Sequence, residues 1–273
     1  MGVPGGVTPR RRLGQSFLID TDVMRRMVRE AGLTRSHTVL EVGPGPGTLT
    51  RVLAAKANRV HALEIDRQFR DALAGVTDEY PNVHIRWGDA RSTRLPPFDV
   101  VVSSLPYSAS LPILFRLLEH GFERGAVLLQ DRQARRLAAQ PGERGYSRIG
   151  VMAQRLARVD LVARVERDCF VPAPRVDSAL VRVQPREDAS ERAADRVEFG
   201  HIVDALFVHR AATLESAMQA SGMGEAVGDI PRRLRTTRVE ALWPDGFAVV
   251  VDAVGQRGLA VAPTPKSVKR RAN

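Results

Sequence analysis

The stretch VLEVGPGPGTLT, residues 39–50, decides the fold of this chain. Its first four residues are a mostly apolar run that predicts a buried strand. Gly43, Gly45 and Gly47 follow, and the residues after them continue into a helical pattern. Glycine allows the backbone to turn sharply and to approach a ligand closely. We therefore predict a strand, a glycine loop and a helix in that order, with a ligand bound at the loop.

Strand patterns and helix patterns alternate on both sides of this loop. Helical segments of about 10–15 residues separate the apolar runs, which indicates right-handed crossovers and a parallel sheet. We expect the last two strands, residues 160–167 and 178–185, to complete the sheet as an antiparallel edge pair. The predicted fold class is therefore α/β with a Rossmann-like sheet. The other predicted strands lie at residues 37–43, 59–66, 82–90, 98–105 and 125–130.

The composition changes at residues 184–196, QPREDASERAADR, which are charged and contain almost no large apolar residue. A domain boundary is expected in such a segment. Beyond it, residues 198–220 and 238–258 have helical patterns and predict a small all-α domain. We therefore predict a disordered basic arm, a sheet domain, a small helical domain and a disordered basic tail. Their residues are 1–12, 13–185, 186–257 and 258–273, in that order.

The formal net charge of +10 indicates either a polyanionic partner or only a basic surface. Cys169 is the single cysteine, which excludes an intrachain disulfide and a cysteine-rich metal site. The six histidines show no metal-ligand spacing, so we expect no metal. No apolar run reaches the length of a membrane span, and the N-terminus lacks the hydrophobic region of a signal peptide. A cytoplasmic, monomeric protein without membrane contact is the expectation.

Three features at the ends of the predicted strands indicate a cofactor. The glycine loop has the pattern G-x-G-x-G, and Thr48 stands where a dinucleotide-binding loop places its third small residue. Glu64 ends the second strand, where an acid accepts hydrogen bonds from ribose hydroxyls. Asp89 ends the third strand, where a carboxylate can accept the amino group of an adenine. Because the carboxyl ends of parallel strands share one rim, we expect these features to form one site. The G-x-G-x-G version of the loop, which lacks a pyrophosphate-binding pattern, favours S-adenosylmethionine over NAD.

The fourth strand ends in Ser104-Leu105-Pro106-Tyr107, which fits the (Asp/Asn/Ser)-x-Pro-(Tyr/Phe) pattern of amino-methyltransferases. An exocyclic adenine amine is a poor nucleophile because its lone pair is delocalised into the ring. The Ser104 side chain and the Leu105 carbonyl can each accept one N–H of that amine, which localises the lone pair toward the methyl donor. Pro106 fixes the turn, and the Tyr107 ring can stack on the base, a contact worth about 1–3 kcal/mol. We therefore predict that these four residues hold the target amine for methyl transfer.

Motifs along nearly the whole chain resemble those of the ribosomal RNA adenine N6-dimethyltransferases, which include the KsgA, Dim and Erm enzymes. The most specific motif is F-x-P-x-P-x-V-D-S at residues 170–178. The segments at residues 115–128 and 206–214 are most similar to the archaeal Dim type. The other motifs are RRLGQSFLID (11–20), VLEVGPGPGTLT (39–50), ALEID (62–66), GDA (88–90), SLPYSAS (104–110) and GYSRIGVMAQ (145–154).

The resemblance implies a class I S-adenosylmethionine methyltransferase sheet and a small helical domain that docks RNA. It also implies methylation of adjacent adenosines in small-subunit rRNA within a pre-ribosomal particle, with the target base held at residues 104–107. The chain departs from the family's usual residues at Ser16, Ser104, Asp131 and Ala211. The implied cofactor contacts are Ser16, Leu18, Gly43, Gly45, Gly47, Glu64, Ile65, Asp89, Ala90 and Ser104.

Three functions are consistent with these residues. The first is S-adenosylmethionine-dependent dimethylation of adenosines in 16S rRNA. The second is an Erm-like or specialised methylase of another RNA, such as 23S rRNA. The third is a ribosome-assembly or RNA-binding protein that keeps the fold and methylates poorly. The presence of the glycines, Glu64, Asp89 and Tyr107 favours an active enzyme.

Overall fold

The computed structural model describes residues 15–193 and 195–261. The basic arm expected over residues 1–12 and most of the tail expected over residues 258–273 lie outside these ranges. Contacts divide the chain into two units. The first contains Met1–Arg135 and Leu156–Ser190, and the second contains Arg136–Arg155 and Glu191–Asn273.

The first unit is built on a seven-stranded sheet and a separate two-stranded ribbon. The sheet has the strand order β4-β3-β2-β5-β6-β9-β7, and the ribbon pairs β1 with β8. The strands are β1 (Phe17–Leu18), β2 (Thr38–Val42), β3 (Arg59–Glu64), β4 (Val83–Trp87), β5 (Val100–Ser104), β6 (Arg124–Gln130), β7 (Ala157–Val165), β8 (Phe170–Val171) and β9 (Ser178–Pro185).

Five of the sheet strands are parallel, as the alternating pattern predicts. β9 pairs antiparallel with both β6 and β7, which confirms the predicted antiparallel pair at one edge. The chain runs outward from β2 through β3 to β4, and then outward on the other side from β5 to β6. The order therefore reverses between β2 and β5. In open α/β sheets, ligands bind beyond the carboxyl ends of the strands at such a point.

The helices have the bounds α1 (Thr21–Glu30), α2 (Thr48–Ala54), α3 (Arg70–Glu79), α4 (Ser110–His120), α5 (Asp131–Ala138), α6 (Arg148–Leu156), α7 (Ala189–Ala193), α8 (Arg196–Val208), α9 (Leu214–Ala220), α10 (Arg232–Arg235) and α11 (Pro244–Gln256). The Asp20 side chain caps α1 by accepting the N–H groups of Asp22 and Val23, at 2.9 and 3.0 Å. α1 buries Met24, Met27 and Val28, whose spacing places them on one helical face against the core of the sheet unit.

The second unit contains helices and no strand among the residues that the structure describes in it. Its core includes Tyr146 and Val151. Tyr146 is fully buried and donates its hydroxyl to the Leu242 carbonyl at 2.7 Å, so residues 136–155 group with the helices. The boundary predicted at residue 186 had placed that segment in the sheet domain. The sequence could not show this grouping because the bond joins residues far apart in the chain.

No helix within the described part of the chain is both long enough and apolar enough to cross a membrane.

Candidate active site

A cavity of about 490 Å³ lies at the carboxyl ends of β2, β3, β4 and β5, in the crevice where the strand order reverses. This volume is within the roughly 300–1,000 Å³ typical of small-molecule sites. Gly45 and Gly47 were predicted to touch the cofactor, but neither lines the cavity. The predicted residues that do line it are Ser16, Leu18, Gly43, Glu64, Ile65, Asp89, Ala90, Ser104, Leu105, Pro106 and Tyr107.

The glycine loop shapes the cavity through its backbone. Gly43, Gly45 and Gly47 have φ angles of +72°, +55° and +84°, in the left-handed region that other residues rarely adopt. A Cβ atom added at Gly45 would lie 2.6 Å from the Phe17 ring, which itself lines the cavity. Gly45 also donates its N–H to Glu64 Oε2 at 3.0 Å. Glycine is therefore required at position 45 by the positive φ and by the closeness of Phe17, and its backbone N–H helps to hold Glu64.

Glu64 ends β3 and is 4% exposed. One carboxylate oxygen accepts the Gly45 N–H, and the other accepts the Asp66 N–H at 2.8 Å. Burial raises the pKa of Glu64, although these N–H groups act in the opposite direction. Each carboxylate oxygen has two lone pairs, so each retains acceptor capacity for a ligand hydroxyl. This arrangement fits the predicted contact with ribose.

Asp89, just beyond β4, is held by Arg91. The Arg91 Nε lies 3.0 Å from both carboxylate oxygens, and its terminal nitrogen lies 2.6 Å from Oδ2. These hydrogen bonds hold the pKa of Asp89 below its usual value, so the group is an ionised acceptor. Arg91 also lines the cavity and was not singled out from the sequence. Asp89 is therefore oriented for a donor such as an adenine amine.

The target side of the cavity is the turn after β5. Ser104 ends that strand, and Leu105 donates its N–H to the Leu128 carbonyl at 3.2 Å. The Tyr107 hydroxyl lies 2.5 Å from Ser178 Oγ, at the start of β9. Ser178 is fully buried, whereas the Tyr107 ring is half-buried and lines the cavity. Burial raises the pKa of Tyr107, so its hydroxyl is neutral at ordinary pH.

The Tyr107–Ser178 bond gives a role to the most specific motif in the chain, F-x-P-x-P-x-V-D-S at residues 170–178. The motif was predicted only as a mark of the family, with no function for its serine. Ser178 holds one end of the Tyr107 ring, while Pro106 fixes the backbone turn from which the ring projects. The orientation of the predicted stacking surface therefore depends on two segments that are 71 residues apart.

The two-stranded ribbon joins residues 17–18, from the motif at residues 11–20, to residues 170–171, from the F-x-P-x-P-x-V-D-S motif. Phe17 pairs with Val171, and Leu18 pairs with Phe170. Thr48 at the start of α2 donates its hydroxyl to the Leu18 carbonyl at 3.0 Å. The ribbon therefore fixes Leu18 against the glycine loop, where the sequence resemblance placed a cofactor contact.

Glu41 is a buried acid of the cavity that the sequence analysis missed. It lies within β2, is 2% exposed, and accepts the Thr50 hydroxyl at 2.7 Å. Burial raises the pKa of Glu41 to about 8; the Thr50 hydrogen bond opposes this rise, and the nearby Glu64 adds to it. An acidic residue inside an otherwise apolar strand was the available signal.

Comparison with known proteins identifies the family. Residues 6–243 match the sequence profile of the family described as ribosomal RNA adenine dimethylase. The chain belongs to this family. It is accordingly an S-adenosylmethionine-dependent methyltransferase.

Individual relatives agree with this membership in the dimethylase family. A protein of Thermococcus gammatolerans, named a probable ribosomal RNA small subunit methyltransferase A, is 43% identical over 214 residues, covering 78% of this chain and 75% of that protein. The 23S rRNA methyltransferase ErmE is 26% identical with a TM-score of 0.67, covering 88% of this chain and 100% of that one. A dimethyladenosine transferase from Plasmodium falciparum is 23% identical and shares the fold, with a TM-score of 0.78 over 90% of this chain and 99% of that one.

Within the described residues, no group of three or more His, Cys, Asp or Glu side chains is placed to hold a metal ion.

Proposed function

We propose that this dimethylase-family enzyme transfers methyl groups to N6 of adenosines in small-subunit rRNA, two to each target adenosine, during ribosome assembly in the cytoplasm. The observation that carries the proposal is the Tyr107 ring, which Ser178 holds beside the cofactor cavity on the turn that begins at Ser104. Support for the small subunit comes from the 43% identity to the Thermococcus gammatolerans protein, against 26% to the 23S enzyme ErmE.

The two sides of the cavity have separate tasks in this proposal. Glu64 accepts hydrogen bonds from the ribose hydroxyls of S-adenosylmethionine, and Asp89 accepts a hydrogen bond from the amino group of its adenine. The cofactor supplies an electrophilic methyl group when bound. On the target side, an unpaired adenine leaves its stack, as enzymes that act on a base require, and lies on the Tyr107 ring.

The remaining groups of the turn orient the amine. In the first transfer, Ser104 Oγ and the Leu105 carbonyl each accept one N–H of N6, so the lone pair points toward the methyl group. N6 then loses one proton to water, and in the second transfer one of the two oxygens accepts the single N–H that remains. The reaction then depends mainly on placing the nucleophile in line with the methyl donor. No strong general base is needed. The Tyr107 hydroxyl is protonated at ordinary pH, and burial raises its pKa further, so Tyr107 acts as a stacking surface and not as a base.

The proposal is tested by incubating the full chain with methyl-labelled S-adenosylmethionine and either immature small ribosomal subunits or protein-free 23S rRNA. We expect label in the small-subunit RNA, and a Tyr107→Ala variant should reduce its incorporation. Label confined to 23S rRNA would establish the Erm-like function instead. Cofactor binding without label in either RNA would establish an RNA-binding assembly factor that methylates poorly.

A further inference from the structure

A basic segment of the helical unit carries an exposed tryptophan. We call residues 232–243 the Arg–Trp segment. It contains α10 and the residues that lead to α11. Trp243 is 59% exposed, which is unusual for so large an apolar side chain. Arg232, Arg233 and Arg238 are exposed as well, and Arg235 is half-buried. Cationic and aromatic side chains that alternate on one surface are typical of nucleic-acid contacts.

The four arginines of this segment have no carboxylate partner among the described residues. The acids that are near them in the chain are engaged elsewhere. Asp229 pairs with Arg257 at 2.7 Å. Glu240 pairs with Arg210 at 3.0 Å, and Asp245 pairs with Arg192 at 2.8 Å. The positive charge of the segment is therefore not neutralised locally. A surface of this charge complements a polyanion.

Packing places the arginines beside the tryptophan. A Cβ atom added at Gly246, in the first turn of α11, would lie 3.8 Å from the Leu234 side chain and 3.3 Å from that of Leu242. Leu234 of α10 thus lies against the turn that Trp243 precedes. The arginines that flank Leu234 therefore lie near the turn that carries the exposed Trp243.

We propose that the Arg–Trp segment binds a single-stranded part of the substrate RNA. Trp243 stacks on an unpaired base, and Arg232, Arg233 and Arg238 contact the phosphates on either side of that base. A duplex would offer the phosphates without a free base face, so the exposed indole favours a single strand. The inference rests on the proposed function, since that function supplies the RNA.

The test uses the full chain and a labelled RNA of about 12 nucleotides, as a single strand or as a duplex. The Trp243→Ala variant should bind the single strand about 5- to 100-fold more weakly, because base–aromatic stacking is worth that much in affinity. The R232Q/R233Q variant should reduce the salt dependence of binding, log K against log salt, by about 1.4, since each phosphate contact on a single strand contributes about 0.7. The control R25Q removes one exposed arginine that pairs with Asp22 on α1, outside the helical unit, and should change neither quantity.

Fluorescence gives a direct readout of stacking. The chain has two tryptophans, Trp87 and Trp243. If RNA quenches the fluorescence of the wild type but not that of the Trp243→Phe variant, the quenched residue is Trp243. Equal RNA affinity and equal salt dependence in all variants would overturn the proposal. So would normal RNA binding by Trp243→Ala together with lost association with small-subunit particles, which would assign the surface to a ribosomal protein.

Methyl transfer is measured on the same preparations so that the two proposals fail separately. If no RNA is methylated but R232Q/R233Q still weakens RNA binding, the proposed reaction is wrong and the Arg–Trp surface stands. If methylation occurs and the variants bind RNA as the wild type does, the reaction stands and the surface is wrong.

Discussion

The hydrogen bond between Tyr107 and Ser178 is the contact on which the target side of the active site depends most directly. Two single substitutions remove it in different ways. Ser178→Ala removes the buried hydroxyl and leaves the Tyr107 hydroxyl half-buried. Tyr107→Phe keeps the ring and leaves the fully buried Ser178 hydroxyl without its partner. The double variant removes both polar groups together.

The burial of each group sets the expected cost. Ser178→Ala loses one hydrogen bond, which corresponds to about 0.5–1.5 kcal/mol of unfolding free energy. Tyr107→Phe strands a buried hydroxyl, which costs about 1–3 kcal/mol. The double variant should lose less than the sum of these values, because replacing both partners by apolar groups is nearly neutral. We therefore expect a coupling energy of about 1 kcal/mol or more in the double-mutant cycle.

The stability assay is urea unfolding of the wild type, the two single variants and the double variant. We expect the midpoint of unfolding to change while the m-value stays constant.

The kinetic assay measures KM for the RNA. In Ser178→Ala the ring loses its anchor, so KM should rise about 2- to 10-fold while kcat stays close to the wild-type value, as for binding energy that ground and transition states share. Ser221→Ala, which removes a hydroxyl bonded to the Ala205 carbonyl, is the control and should leave KM unchanged. A coupling energy near zero together with an unchanged KM in Ser178→Ala would show that this hydrogen bond does not hold the Tyr107 ring in place.

Three further predictions concern the cavity. Gly45→Ala should destabilise the protein by about 1–3 kcal/mol more than Gly222→Ala, because both residues have positive φ but only the first would place its Cβ against Phe17; equal losses in urea unfolding would contradict the clash. For Glu41, whose pKa rises from 4.5 unfolded to about 8 folded, the wild type should lose stability relative to Glu41→Gln as pH rises between these values, and the difference should be constant above them; a pH-independent difference would show that the acid is not buried protonated. Ser104→Asn should raise kcat by up to about tenfold, because the amide oxygen reaches farther toward the amine than a hydroxyl does, and an unchanged kcat would show that the serine is no handicap.

The sheet and the glycine loop could be predicted because their signals are local. Strand runs, helix periods and turn glycines each need only a window of about 10–18 residues. Gly43, Gly45 and Gly47 all have positive φ. Gly43 lines the cavity, whereas Gly45 and Gly47 do not, and Gly45 donates its N–H to Glu64.

The contacts that complete the site are not local, and the sequence could not show them. Ser178 meets Tyr107 only because β9 inserts between β6 and β7, which brings its first residue to the end of the sheet where the turn after β5 lies. Glu41 was missed because a strand pattern is set by its apolar residues, and one acid among them attracts no separate interpretation. The grouping of residues 136–155 with the helices likewise depends on the distant Tyr146–Leu242 bond.

The central claim is that the cavity and the turn at residues 104–107 together methylate N6 of adenosine in small-subunit rRNA. Its most direct test is mass spectrometry of nucleosides from small-subunit RNA treated with the wild type or with Tyr107→Ala, in the presence of S-adenosylmethionine. We expect N6,N6-dimethyladenosine with the wild type and strongly reduced amounts with the variant, which lacks the stacking ring. Methylation at any position other than adenosine N6, or equal yields from the two proteins, would contradict it.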